Sequence, residues 1–252
     1  MKQRILIALL FLVAYLGFLI ARLPADLVVR YAPLPPMVSL EGVSGTLWQG
    51  QAARLQVASE SFSNLSWDLE VGSLLTLSPR VALRFGQRGG LNGEALVGWQ
   101  QSRITARDLV LNMPAPWLLS RLPLRLPFPL EVAGQLQLKV DEFAQGQPWC
   151  ESLYGTLDWV GARADTPAGK LDLADPSAKL LCQQGKLVAE LRQSSEQVSL
   201  TGKVELMAGR QFLFQGFLKP GSELPEQMRQ GLPFLGQPDS QGRYPLREQG
   251  YF

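Results

Sequence analysis

The chain has 252 residues, with 24 Lys and Arg against 22 Asp and Glu for a formal charge of +2. That balance excludes the broad basic surface of a nucleic-acid binder, while 46% hydrophobic content is enough to build a real core. Histidine is absent and there are two cysteines. These counts exclude Ser-His-Asp and Cys-His catalysis, His-ligated zinc and four-cysteine metal or iron–sulfur sites, so neither a cofactor nor a metal is expected.

Met1, Lys2, Gln3 and Arg4 precede an apolar run over residues 5–21. As a helix rising about 1.5 Å per residue, the run reaches about 25 Å, the lower limit for crossing a bilayer core. A cleaved signal peptide has the same basic start and apolar middle, but it needs small residues before its cleavage site. The run ends instead as Phe18-Leu19-Ile20-Ala21-Arg22. The expectation is a retained anchor, with residues 1–4 cytoplasmic, 5–21 in the inner membrane, 22–37 a linker and 38–252 a periplasmic β domain. Lys2 and Arg4 set that orientation. In an oxidising compartment an even cysteine count reads as a disulfide between Cys150 and Cys182. Two buried reduced thiols are the alternative, and no C-x-x-C spacing supports a redox pair.

Residues 24–31 suit one or two helical turns, and Pro33, Pro35 and Pro36 then impose a stiff extended connector. From there the apolar period becomes two. Leu65, Trp67, Leu69 and Val71 alternate with polar residues, as do Ala53, Leu55 and Val57, and Ala95, Val97 and Trp99. The pattern returns at Leu136, Leu138 and Val140, at Leu157 and Trp159, and at Leu187, Ala189 and Leu191. Turn signals such as Gly89-Gly90, Asn92-Gly93 and Gln184-Gly185 separate the runs. Two stretches break the alternation and predict short helices, over residues 114–122 and 224–232. Each ends near a Leu-Pro pair, Leu122-Pro123 or Leu232-Pro233. The predicted fold is mainly β: an N-terminal transmembrane helix followed by an extended antiparallel sheet with short helices. The sheet domain reads either as two repeated halves, 38–123 and 124–252, or as a chance recurrence of common strand-and-turn units.

Candidate chemistry is sparse. Asp68, Glu70, Glu131 and Asp158 fall opposite the apolar positions and read as a solvated face rather than a paired acid and base. Arg103, Arg107, Arg121 and Arg125 read as a solvated rim or a lipid-headgroup site. Trp48, Trp67, Trp99 and Trp159 suit cross-strand packing. A sheet with one apolar face and few helices to cover it must close, dimerise or leave a groove. Such a groove suits acyl chains or an extended partner. Three glycines, Gly42, Gly45 and Gly50, surround Val43, Leu47 and Trp48. Glycine weakens strands, so the segment marks a turn or bulge. It either starts the sheet as a hairpin or forms a partner-docking edge through Val43, Leu47 and Trp48.

The order Gly42, Val43, Gly45, Thr46, Leu47, Trp48 and Gly50 resembles the opening of the type II secretion system protein N family. So do Leu65-Ser66-Trp67, Cys150 with the run from Tyr154 to Trp159, and Cys182 followed by Gly185. The resemblance extends over nearly the full length. Short pieces of the motif also recur in larger β-rich envelope proteins of the AsmA-like type. It implies a non-catalytic, single-pass inner-membrane protein of a machine that exports folded proteins across the outer membrane. Its implied partners are other inner-membrane or periplasmic subunits; nucleic acid is not among them. The AsmA-like likeness implies the alternative, a periplasmic lipid-handling protein with an apolar groove. The family has no assigned catalytic residues to carry over.

Overall fold

The computed structural model describes residues 2–31, 37–58, 60–87, 90–100, 102–121 and 129–251. The proline connector, Leu122-Pro123, the boundary expected at 123/124, Gly89 and Arg125 lie outside them. Packing divides the chain into two compact units: residues 1–87 with 96–99, and residues 88–95 with 100–252.

The first unit begins with helix α1 (Lys2–Ala21), which coincides with the apolar run, and α2 (Ala25–Tyr31). Pro24 precedes α2, Asp26 lies in its first turn and Arg30 in its last, both favourable to the helix dipole. Among the described residues no helix is long and apolar enough to cross a membrane. Most of the α1 side chains that are described are nonetheless large, apolar and exposed, Phe11 at 69%.

An antiparallel meander follows: β1 (Val38–Gly45), β2 (Gln49–Val57), β3 (Glu60–Leu69), the short helix α3 (Val71–Leu75) and β4 (Arg80–Gly86). Strand β3 ends at Leu69, so the predicted alternation stops one residue pair early. Val71 opens α3 with its side chain exposed. The phase of β2 also differs from expectation. Ala52 is buried at 1% and Ala53 is exposed. Gly42 and Asn64, on the strands flanking Ala53, take φ of 64° and 54°. Pairing skips this row but resumes in the same register on both sides. A left-handed residue inside a strand breaks the simple period of two. Leu40, Leu55 and Phe62 face inward on one side of the row, and Val43, Ala52 and Leu65 on the other.

The second unit contains β6 (Arg103–Pro114), α4 (Ala115–Leu119), β7 (Glu131–Gln145), β8 (Cys150–Thr166) and β9 (Gly169–Ala174). It continues through β10 (Ser177–Gln183), β11 (Lys186–Ser194), β12 (Val198–Met207), β13 (Gln211–Pro220), α5 (Glu226–Gly231) and β14 (Tyr244–Tyr251). Strand β5 (Asn92–Gln100) contributes residues to both units. The pairing order is β6-β7-β8-β10-β11-β12-β13-β14, and β9, off this path, pairs with β8. The recorded pairings are all antiparallel. Trp99 departs from the packing expectation: near the end of β5 it is exposed. Both predicted helices are shorter than their windows. Pro114 stands at the N-cap of α4 and Pro225 at that of α5, and a 3-10 turn over Leu232–Leu235 replaces the end of the second. The core gathers Met113, Ala115 and Leu136, with Trp117, Leu157 and Trp159 packed around them.

One ion triad crosses the sheet. Glu205 on β12 receives Lys203 at 2.8 Å and Lys186 of β11 at 3.2 Å. Hydrogen bonds from the two lysines hold its carboxyl below the ordinary value of 4.5. A lowered folded-state value means stability that is present above pH 4.5 and lost as the pH falls through the folded value. Wild type should therefore lose more stability than Glu205→Gln as pH falls below that point, measured by denaturant midpoints at several pH values. Parallel profiles would show that the triad contributes nothing.

Candidate functional site

The turn between β1 and β2 is built by Gly45, Thr46, Leu47 and Trp48. Gly45 has φ of 93°, and a Cβ there would lie 2.6 Å from Gln49 O. The hydroxyl of Thr46 accepts from Gln49 N at 3.1 Å, and Thr46 N donates to Gln49 O at 2.8 Å. Gly50 leaves room for the ring of Trp67, whose Cζ2 would be 2.4 Å from a Cβ at that position. Trp67 Nε1 in turn donates to Leu47 O at 3.2 Å.

The turn faces the start of the chain. Trp48 Nε1 donates to Ile20 O, in the last turn of α1, at 2.9 Å. Leu47 N donates to Leu23 O at 2.9 Å, and Pro24 bridges Thr46. Ile20 O also accepts from Leu23 N at 3.2 Å, so the indole N–H takes the second acceptor position of a carbonyl at the helix end. Val43 sits in the ladder opposite Ala52. Val43, Leu47 and Trp48 are each half-buried. The three predicted residues therefore share one hairpin, and two of them reach the helical junction at residues 20–24. The sequence pattern carried no signal for that contact, because Ile20 offers only a backbone oxygen.

Cys150 and Cys182 are joined as a disulfide, and Cys150 is 2% exposed. The bond ties the start of β8 to the end of β10, beside a tightly packed turn. Gly185 has φ of 81° and lies against Gln147 and Pro148. Its carbonyl accepts from Trp149 N at 3.1 Å, while Trp149 Nε1 reaches Met207 O at 2.9 Å.

The second unit also holds an apolar groove of about 310 Å³, lined by Leu157, Trp159, Leu171, Leu191, Gln193 and Leu218, among others. Gln193 was not singled out by sequence. The available signal was a polar residue continuing the inward series Leu187, Ala189 and Leu191.

The remaining charged candidates disperse. Glu70 pairs with Arg80 at 3.0 Å, and Asp158 accepts from Thr156 Oγ1 at 3.3 Å. Arg103 pairs with Glu151, and the Arg121 guanidinium stacks 3.9 Å from the Trp117 ring centroid. Among the described residues no cluster of three or more Cys, Asp or Glu could hold a metal ion.

Residues 36–247 match the family described as Type II secretion system (T2SS), protein N. The chain is similar to a type II secretion system protein N of Aeromonas hydrophila, 67% identical over 251 residues and 99% of each chain. It is 35% identical to the protein of that description from Vibrio cholerae serotype O1 over 252 residues, again 99% of each. The Pectobacterium carotovorum counterpart is 32% identical over 251 residues, covering 99% of this chain and 98% of its own. No solved structure matches.

Proposed function

The chain belongs to the type II secretion system protein N family, and from that premise we propose that it is a non-catalytic accessory subunit of the secretion machine. In this reading α1 anchors it in the inner membrane by a single pass, with the N-terminus cytoplasmic and the β domain periplasmic. Its partners are other inner-membrane or periplasmic subunits, met through the sheet. The observation that carries the reading is α1 itself, a 20-residue helix whose exposed side chains include Leu6, Leu10 and Phe11. Exposed apolar surface of that extent is costly in water and suits a bilayer. The docking of the β1–β2 hairpin on the end of α1 supports an anchor that is retained, because cleavage after residue 21 would remove its acceptor at Ile20.

Two measurements test this. The intact protein should fractionate with the inner membrane, and a chromosomal deletion should reduce secretion of exoproteins. A mature chain beginning after Ala21 or Ala25 would overturn the anchor, and unchanged secretion and subunit assembly would overturn the accessory role. The apolar groove of the second unit favours a second reading, the handling of lipid or lipoprotein in the envelope. It is compatible with the first.

A further inference from the structure

One end of the first unit's meander is inside out. Beyond the last pair of β3 and β4, Leu69 opposite Val81, the chain turns through α3 and residues 76–79 before entering β4. In this loop Ser73 is 2% exposed, whereas Leu77 is 88% and Val71 57% exposed. Water-facing loops sort the other way. Nor is the loop a loose end. The Ser73 hydroxyl donates to Glu70 O and accepts from Arg80 N at 2.9 Å, and Ser78 N donates to Ser73 O at 3.2 Å. Glu70 and Arg80 pair at 3.0 Å across its base. Leu77 N donates to Leu74 O at 3.1 Å with φ of 52°, a left-handed conformation that leucine rarely adopts. Trp99 flanks the loop through its N–H, which donates to Pro79 O at 3.0 Å, and is itself 52% exposed.

The same end of the meander receives α1. Leu69 N donates to Trp48 O at 2.6 Å, so the loop starts beside the β1–β2 turn, where Trp48 Nε1 meets Ile20 O. Every described α1 side chain is exposed, so the helix body is not packed on the sheet. Arg22 closes the apolar run, with its guanidinium 5.3 Å from the Phe18 ring centroid. A cation at that place marks the headgroup level of a spanning helix, and the β1–β2 turn stands at the same level. From β2 the strands run on through β3 and β4 to β5, about 14 Å away at the usual strand spacing.

We propose that Val71, Leu77 and Trp99 seat this end of the meander in the headgroup–acyl boundary of the bilayer that α1 enters. The proposal rests on the anchoring reading of α1 and adds a second membrane contact to it. At that depth the aliphatic side chains leave water, while an indole ring keeps its N–H among the headgroups. One helix tethers the domain but lets it tilt. A second contact, off the helix axis, fixes which end of the sheet faces the membrane.

The full-length protein in lipid nanodiscs can carry a nitroxide on one added cysteine at a time, since its two native cysteines are joined to each other. The sites are Leu12→Cys in α1, Leu77→Cys in the loop, and Ser61→Cys toward the other end of β3, about 25 Å away. Power saturation compares relaxation by oxygen, which concentrates among acyl chains, with relaxation by a water-soluble nickel chelate. Oxygen should dominate at positions 12 and 77, and the chelate at 61. Adding Val71→Asp should shift position 77 toward the chelate while the thermal midpoint in detergent stays unmoved. Oxygen dominating at 12 and the chelate at 77 would overturn the second contact and leave the anchor standing. The chelate dominating at both would overturn the anchor, and with it the contact that rests on it. A label at 77 that is aqueous in the nanodisc and shielded from both reagents once other secretion subunits are added would assign the loop to a protein partner, and overturns the proposal.

Discussion

Changing Cys150 and Cys182 together to serine is expected to lower the unfolding free energy by about 3–4 kcal/mol, the chain-entropy value for a loop of this size. The crosslink spans a sequence separation of 32. Removing it lets the denatured chain explore conformations that the closed loop forbids. Cys150 is also nearly inaccessible, so a serine hydroxyl there must find a partner or be desolvated at further cost. The fold itself should survive. Strands β8 and β10 are already paired from Ser177 opposite Asp158 to Leu181 opposite Tyr154, independently of the sulfur bridge. Denaturant midpoints for wild type and the double variant, with the slope checked for constancy, measure the loss. A loss under about 1 kcal/mol would show that the closed loop hardly restricts the denatured chain. Free thiols in protein isolated from the envelope would contradict the bond directly.

What was legible in the sequence was the regular part of the sheet. Leu136, Leu138 and Val140 alternate because one face is more buried than the other, and burial of one face imposes that period; around Leu187, Ala189 and Leu191 the opposite face is covered too, with Val188 1% exposed. What escaped was set by single backbone conformations or by backbone acceptors. The shift at Ala53 follows from a left-handed φ at Gly42, where glycine permits it, and at Asn64, where nothing in the local pattern requires it. Similar interruptions occur at Asp108 of β6 and Gly161 of β8, with φ of 49° and 62°. Periodicity counts side chains and is blind to such residues until the strand has already changed face. The stretch 224–232 overstates its helix because Leu224 and Leu232 fit the apolar pattern while lying outside Glu226–Gly231. Gln193 and Trp48 show the same limit. Their partners are carbonyl oxygens of Leu173, Val198 and Ile20, which any residue type would supply.

Trp48→Ala is expected to destabilise the first unit by about 2–3 kcal/mol, somewhat below the 3–5 kcal/mol of a fully buried aromatic, because the ring is only half-buried. Two interactions disappear together: the packing of the indole, and its hydrogen bond to Ile20 O at 2.9 Å. Trp48→Phe separates them. It keeps most of the ring and removes the donor, so its cost should be about 0.5–1.5 kcal/mol, the net value of one hydrogen bond. The contacts of Leu47 N with Leu23 O and of Pro24 with Thr46 are deleted by neither substitution, but Trp48→Ala also removes the ring that helps hold them closed. Amide exchange therefore locates the effect. In wild type the Leu47 amide should be protected, in Trp48→Phe slightly less so, and in Trp48→Ala it should exchange markedly faster as the hairpin parts from the end of α1. If Val43, Leu47 and Trp48 serve instead as a docking edge for another subunit, Trp48→Ala should leave the melting temperature nearly unmoved while co-purification of secretion subunits is lost. The two outcomes separate on both measurements: the structural role costs stability, and the docking role costs co-purification while stability stays. A Trp48→Ala protein that is as stable as wild type, keeps its Leu47 protection and still binds every subunit would leave the hairpin with neither role.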